Sequence, residues 1–267
     1  MIAHQPKIWI PEFAVLNAED RWRLRNRAEK LFIQSNGYTS FDPNGVMRTE
    51  CKFDLSLFPF DVQFCQIIIE DWRYSTRYVD LRPGIVGYKL LRVSQLEQWT
   101  VTQGDHLIFH SNYTGFRHYS RAHFTVVLTR KPGYYVITSI IPTIFISLSE
   151  LVTFSIPVKS PTRLELSFTC LLAYGVFQTH ASVDLPRSAD NPPLLSVYIL
   201  IMSGFIFITT CYHGVAGSCY QNKPNLKKRI LMLDRTALFL YAFLVIATPI
   251  TFLVIIPASF SKYEKVI

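Results

Sequence analysis

Charge is scarce in this chain. Asp, Glu, Lys and Arg make up only 17 % of its 267 residues, and most of them lie before residue 133. From Tyr134 onward they stand mainly at the edges of apolar runs, which divides the chain into a polar head and a membrane tail. The mean hydropathy of +0.21 is high for a soluble protein. Cysteine is sparse too, with five in all. No nucleophile–base arrangement, phosphate loop or metal cluster stands out, which argues against an enzyme, a resident metal or a cofactor. The duplicated halves of many transporters are also missing. The start, Met1-Ile2-Ala3-His4-Gln5, lacks the basic-then-apolar pattern of a secretory leader, although a head that crosses a membrane needs one. The expectation is a fragment without its true beginning.

What is present is a pair of cysteines and four apolar runs. Cys170 and Cys211 fall inside apolar segments and Cys219 in a basic connector, which leaves Cys51 and Cys65 as the pair available for a disulfide. Zinc is the competing use, and this stretch lacks the neighbouring His or Cys at short spacing that zinc needs. A bridged loop belongs to an oxidising compartment. The apolar runs cover about 134–157, 164–183, 194–212 and 236–260, against the roughly 20 residues a helix needs to cross a bilayer. Lys159 and Arg163 lie in the first connector and Lys223, Lys227, Lys228 and Arg229 in the third, whereas the second has one Arg and two Asp. Positive connectors stay cytoplasmic, so the head and the carboxyl terminus are expected outside, on a multi-pass protein of the plasma membrane. The net charge of +8 is read largely as membrane topology, with no nucleic-acid partner.

The second apolar run differs from the others. Glu165, Thr169, Leu172, Val176 and Thr179 follow at steps of four, three, four and three, one face of a helix that is polar at both ends and apolar in the middle. Facing lipid, Glu165 costs roughly 2.5–3.5 kcal/mol on insertion scales. Around a shared axis it faces water instead, with Leu172 and Val176 as a constriction that gates by dewetting. The alternative is a helix packed inside the bundle of one chain, with Glu165 near the interface.

Residues 1–132 read as strands and turns. Val62-Gln63-Phe64-Cys65-Gln66-Ile67 alternates, as does part of 122–129, and turn signals recur at Asn36-Gly37, Asp42-Pro43-Asn44-Gly45, Arg82-Pro83-Gly84 and Gln103-Gly104-Asp105. Short strands at such spacing suggest an antiparallel β-sandwich.

Phe58-Pro59-Phe60-Asp61, between the two cysteines, resembles the diagnostic motif of the Cys-loop receptors, the pentameric ligand-gated ion channels. Trp9-Ile10-Pro11-Glu12 resembles the segment that opens that family's first binding loop, and Trp72 in Glu70-Asp71-Trp72-Arg73-Tyr74-Ser75 the second. Arg130 matches the pre-membrane arginine, Pro142 the proline of the first span, and Asp184-Leu185-Pro186 the end of the pore helix. The likeness runs along nearly the whole chain and is nearest to the nicotinic and related invertebrate branches.

The resemblance implies an extracellular antiparallel β-sandwich over 1–132, incomplete at its start, followed by a four-helix transmembrane bundle over 133–267. It implies a homo- or hetero-pentamer that passes inorganic ions through a pore lined by the second span and sits in membrane lipid. The implied ligand site lies between subunits, with Trp72, Tyr119, Tyr113 and Phe116 on one side and Phe32 or Phe41 opposite. Aromatic faces attract an ammonium group by roughly 0.5–2 kcal/mol, so the implied agonist is a small molecule of the amine class. Coupling is expected through the bridged loop, with Phe58 and Phe60 as anchors, Pro59 as a stiff link, Asp61 and Arg130 as an ion pair, and the connector 186–193 as receiver.

Several features depart from the pattern. The third binding loop has no adjacent cysteines, and Leu16 stands where the first loop usually has an aromatic. Asn112-Tyr113-Thr114 is a glycosylation sequon beside the same site. Glu165 favours cations, whereas Pro161 before Arg163, with Thr162 in place of the usual acid, resembles anion-selective relatives. The expectation is cation selectivity; the alternatives are an anion channel or a non-conducting, modulatory subunit of the same fold. His180 is read as a polar interface residue and the basic stretch 223–229 as topological, while Glu150 needs a partner on a neighbouring helix.

Overall fold

The computed structural model describes residues 2–3, 9, 13–19, 31–41, 47–71, 73–82, 96–113, 117–184 and 192–255. The chain divides into two compact units, Met1–Phe53 with Val62–Thr129, and Asp54–Asp61 with Arg130–Ile267. Antiparallel sheets come first and apolar helices follow, the sandwich-plus-bundle class expected.

In the first unit the strands are β1 (Ile2–Ala3), β2 (Phe13–Val15), β3 (Leu31–Ile33), β4 (Thr39–Phe41), β5 (Val62–Asp71), β6 (Trp99–Tyr113) and β7 (Arg117–Arg130). They form one sheet of order β1-β3-β4 and another of order β2-β5-β7-β6. The β3–β4 hairpin turns at Asn36-Gly37, where Gly37 has φ +85° and the Asn36 carboxamide oxygen accepts the Tyr38 N–H at 3.0 Å. By contrast, Gln103-Gly104-Asp105 is not a turn, since it lies inside β6. A Cβ on Gly104 would stand 2.9 Å from the Thr125 carbonyl oxygen on β7, so this glycine serves close approach between strands. The period of two holds at the start of β5 with its polar residue inside: Gln63 is 2 % exposed and Phe64 53 %. Arg121 of β7 faces Glu70 of β5 in register and donates to its carboxylate.

The second unit holds α1 (Gly133–Thr153), α2 (Pro161–Asp184), α3 (Leu194–Asn222) and α4 (Lys227–Val254). Pro142 has no N–H to give, and the ladder before it shifts to a π turn at Val136–Ile140, with the Ile141 N–H reaching the Val136 carbonyl. Among the described residues three helices, α1, α3 and α4, are long and apolar enough to cross a membrane. At 24 residues α2 has the length, but its polar face lowers its hydropathy. The first helix stops at Thr153, short of 157, and α3 continues to Asn222, past 212. The third connector therefore shrinks to 223–226, and Lys227, Lys228 and Arg229 open α4. The core gathers Phe58, Tyr135, Ile140, Tyr174, Leu195, Met202 and Val245.

Candidate functional site

In the first unit, the Asp71 carboxylate accepts the backbone N–H groups of Arg73 and Tyr74, both at 3.0 Å, and so folds the chain directly after β5. The Trp9 indole N–H donates to the Tyr74 hydroxyl at 3.3 Å, their rings meet edge to face at 5.5 Å, and Tyr78 lies 6.4 Å from Tyr74. Trp9 and Tyr78 are exposed, at 59 % and 77 %. The Thr76 N–H donates to the His118 carbonyl at 2.8 Å and the Leu81 N–H to the Ser120 hydroxyl at 3.1 Å, which zips this loop to the start of β7. That strand carries half-buried Tyr119. The loop that follows position 72 and the strand of Tyr119 are thereby neighbours. Trp72 and Phe116 lie outside the described residues, as do the side chains of Asn112, Tyr113 and Phe41. Leu16 sits in an exposed turn and Phe32 is half exposed on β3. Tyr74 and Tyr78, not among the residues the sequence singles out, stand in the same loop soon after position 72.

Cys51 and Cys65 are disulfide-bonded. The residues they bracket, Asp54–Asp61, belong to the helical unit. Ser56 donates its N–H to the Asp54 carboxylate at 3.0 Å and, with its hydroxyl, holds that carboxyl below its usual range. The loop carbonyls of Ser56 and Phe58 accept the N–H groups of Leu194 and Leu195 at 3.1 and 3.2 Å, satisfying donors that the first turn of α3 leaves orphaned. Phe58 is fully buried, edge-on to Tyr135 at 4.6 Å with the Arg130 guanidinium 4.8 Å above its ring. Pro59 is buried, and Phe60 lies 5.8 Å from Phe252 of α4. Arg130 donates from Nε and Nη2 to Asp61 at 2.7 and 3.2 Å, and the two side chains are 7 % and 1 % exposed, so the pair is internal rather than peripheral.

On α2, Arg163, Ser167, Cys170, Tyr174 and Ala181 are buried. Glu165, Thr169, Leu172, Val176 and Thr179 are all exposed, Leu172 at 70 % and Val176 at 64 %. His180 is exposed near the far end. Arg163 is therefore a buried residue of the first helical turn and not part of a solvated connector. The partners of Glu150 are Ser167, whose hydroxyl donates at 2.5 Å, and His213 of α3, whose Nε2 stands 3.7 Å away. Ser167 also meets Thr210 at 2.8 Å, so one serine ties α2 to α1 and α3.

Two family models match the chain: the neurotransmitter-gated ion-channel ligand binding domain over residues 1–132 and the neurotransmitter-gated ion-channel transmembrane region over 139–228. The chain is 26 % identical over 219 residues to a neuronal acetylcholine receptor subunit alpha-10 of Rattus norvegicus, covering 82 % of this chain and 49 % of that protein. It is 27 % identical over 197 residues to the acetylcholine receptor subunit beta-type acr-2 of Caenorhabditis elegans, covering 73 % of this chain and 34 % of the relative. With the 5-hydroxytryptamine receptor 3A of Cavia porcellus the identity is 26 % over 208 residues, 76 % of this chain and 42 % of that one. The chain thus spans between about a third and a half of the length of these relatives. Two matched models in succession, a disulfide-closed loop with a buried Phe-Pro ahead of the helices, and this set of relatives agree: the chain belongs to the neurotransmitter-gated ion-channel family, as a Cys-loop receptor subunit.

Proposed function

We propose that the chain is a subunit of a pentameric, agonist-opened cation channel whose pore is lined by α2. The observation that carries this reading is the sorting of α2. Glu165, Thr169, Leu172, Val176 and Thr179 form a stripe that is exposed in the single chain, while the opposite face is buried against α1 and α3. Five copies around an axis give the stripe water to face, make Leu172 and Val176 the hydrophobic constriction, and set Glu165 as a ring of negative charge. All four helices then cross the bilayer, with the head and carboxyl terminus outside.

The agonist class that suits Trp72, Tyr119, Tyr113 and Phe116 is a small amine, held by aromatic faces at a subunit interface. Tyr74 and Tyr78 join that group because their loop is hydrogen-bonded to the strand of Tyr119. Coupling runs through the covalent chain: β5 begins at Val62, directly after Asp61, and β7 ends on Arg130. Strain in either strand reaches the loop whose carbonyls cap α3.

The test is recording from cells that express the chain, alone and with related subunits, under a panel of amines, amino acids and protons. A water-soluble thiol reagent should block current through Leu172→Cys and Thr169→Cys, with the unaltered chain as control for exposed Cys211. A monomer in mild detergent, or evoked current unaffected by reagent at both positions, refutes the reading.

A further inference from the structure

The head of α2 carries two opposite charges two residues apart, and the fold treats them differently. Arg163 is 2 % exposed. Its Nη2 and Nη1 donate to Asp234 of α4 at 2.6 and 3.2 Å. The Tyr212 hydroxyl of α3 donates to the same carboxylate at 3.2 Å, and the Phe154 ring lies 5.1 Å from the guanidinium carbon. Glu165 is exposed. At 3.6 residues per turn, positions two apart point to nearly opposite sides, so whatever packs Arg163 inward turns Glu165 outward.

We infer that Asp234 sets ion selectivity: it neutralises Arg163 and leaves Glu165 as the charge that α2 presents at its first turns. The inference rests on the reading that α2 lines the pore. A bidentate pair has no net charge, and its field falls off quickly with distance. An unpaired guanidinium behind a low-dielectric wall acts at longer range and opposes the passage of cations. Arg163 is also costly to leave buried without its partner. Exposed Lys159, in the turn before α2, Lys223, after α3, and Lys227, Lys228, Arg229 and Arg235, on α4, lie on other elements. Asp234 stands just ahead of the apolar run that begins near residue 236.

The experiment measures reversal potentials under sodium and chloride substitution for the unaltered chain, Asp234→Asn, and the double variant Arg163→Gln with Asp234→Asn. Glu165→Gln gives the reference shift. Asp234→Asn is expected to move the reversal potential toward that of chloride, and the double variant to restore it. A structural strut alone would change expression and leave the reversal potential in place. Should Asp234→Asn fail to reach the surface alone, it is co-expressed with the unaltered chain: a reversal potential that moves toward that of chloride as its proportion rises supports the inference, and one that stays in place overturns it. The inference is overturned if Asp234→Asn conducts with unchanged selectivity, if the double variant keeps the shift, or if the neutral double variant fails to assemble. Absence of current from the unaltered chain instead refutes the channel reading, and that control tells the two failures apart.

Discussion

Replacing Phe58 by alanine should unseat the bridged loop from the helices. The ring is fully buried between Tyr135, at 4.6 Å, and the Arg130 guanidinium, at 4.8 Å. An aromatic side chain buries roughly 150–250 Å². At about 25 cal/mol per Å² this is about 4–6 kcal/mol of transfer free energy, and measured Phe→Ala losses run about 3–5 kcal/mol. A domain is typically stable by only about 5–15 kcal/mol, so the loss is a large fraction of the whole. The carbonyl that caps Leu195 belongs to the backbone and survives the substitution, so the effect isolates the ring. Phe58→Leu keeps most of the volume and gives up the edge-to-face and cation–π contacts, about 0.5–2 kcal/mol each. The assay is thermal unfolding of the purified chain in mild detergent, followed by near-ultraviolet circular dichroism or tryptophan emission. For Phe58→Ala the midpoint should fall by on the order of 10 °C, with a smaller fall for Phe58→Leu. A midpoint for Phe58→Ala equal to that of the unaltered chain would refute the claim that this ring anchors the loop, as would an equal loss in both variants.

Removing one partner of the Asp61–Arg130 pair leaves a buried charge behind, so Asp61→Ala should cost about 3–5 kcal/mol and lower surface expression. The Asp61→Ala, Arg130→Ala double variant should cost less than the sum of the single losses, and simple additivity in melting would count against the pairing. Gly104→Ala forces β6 away from β7, because its Cβ would sit 2.9 Å from the Thr125 oxygen; a loss of about 1–3 kcal/mol in chemical unfolding is expected, and no loss would show that the strands yield freely. Burial, and then the neighbouring positive charge of Arg121, hold the His123 pKa below its ordinary value of 6.5. The unfolded chain therefore takes up that proton first. The head should be insensitive to this group above about pH 6.5 and lose stability as pH falls through that range. His123→Gln should weaken the acid-side slope of a melting profile, and an unchanged slope would contradict this assignment.

The bridged loop, the order of sheets before helices and the stripe on α2 were legible because each leaves a local trace. A cysteine pair, an apolar run and a 3.6-residue period are properties of neighbours along the chain. The β6 glycine misled because Gly104 has the composition of a turn, while its use depends on Thr125 of the adjacent strand. Helix ends were misplaced for a related reason. Composition marks where apolar character stops, at about 212 and 236, yet α3 and α4 run on through polar residues whose backbone remains hydrogen-bonded.

What the sequence determined alone is therefore the inventory: a disulfide-closed loop, apolar runs, and one run whose period sets Glu165, Thr169, Leu172, Val176 and Thr179 on a single face. Tertiary structure decided which charge is spent inside. Arg163 finds Asp234 seventy-one residues away, Glu150 finds Ser167 and His213 on two other helices, and Phe58 brings its carbonyl to the start of α3. A buried charge or an orphaned helix donor demands a partner, and its position along the chain does not say which one. Only the packing of the helices brings that partner within hydrogen-bond reach.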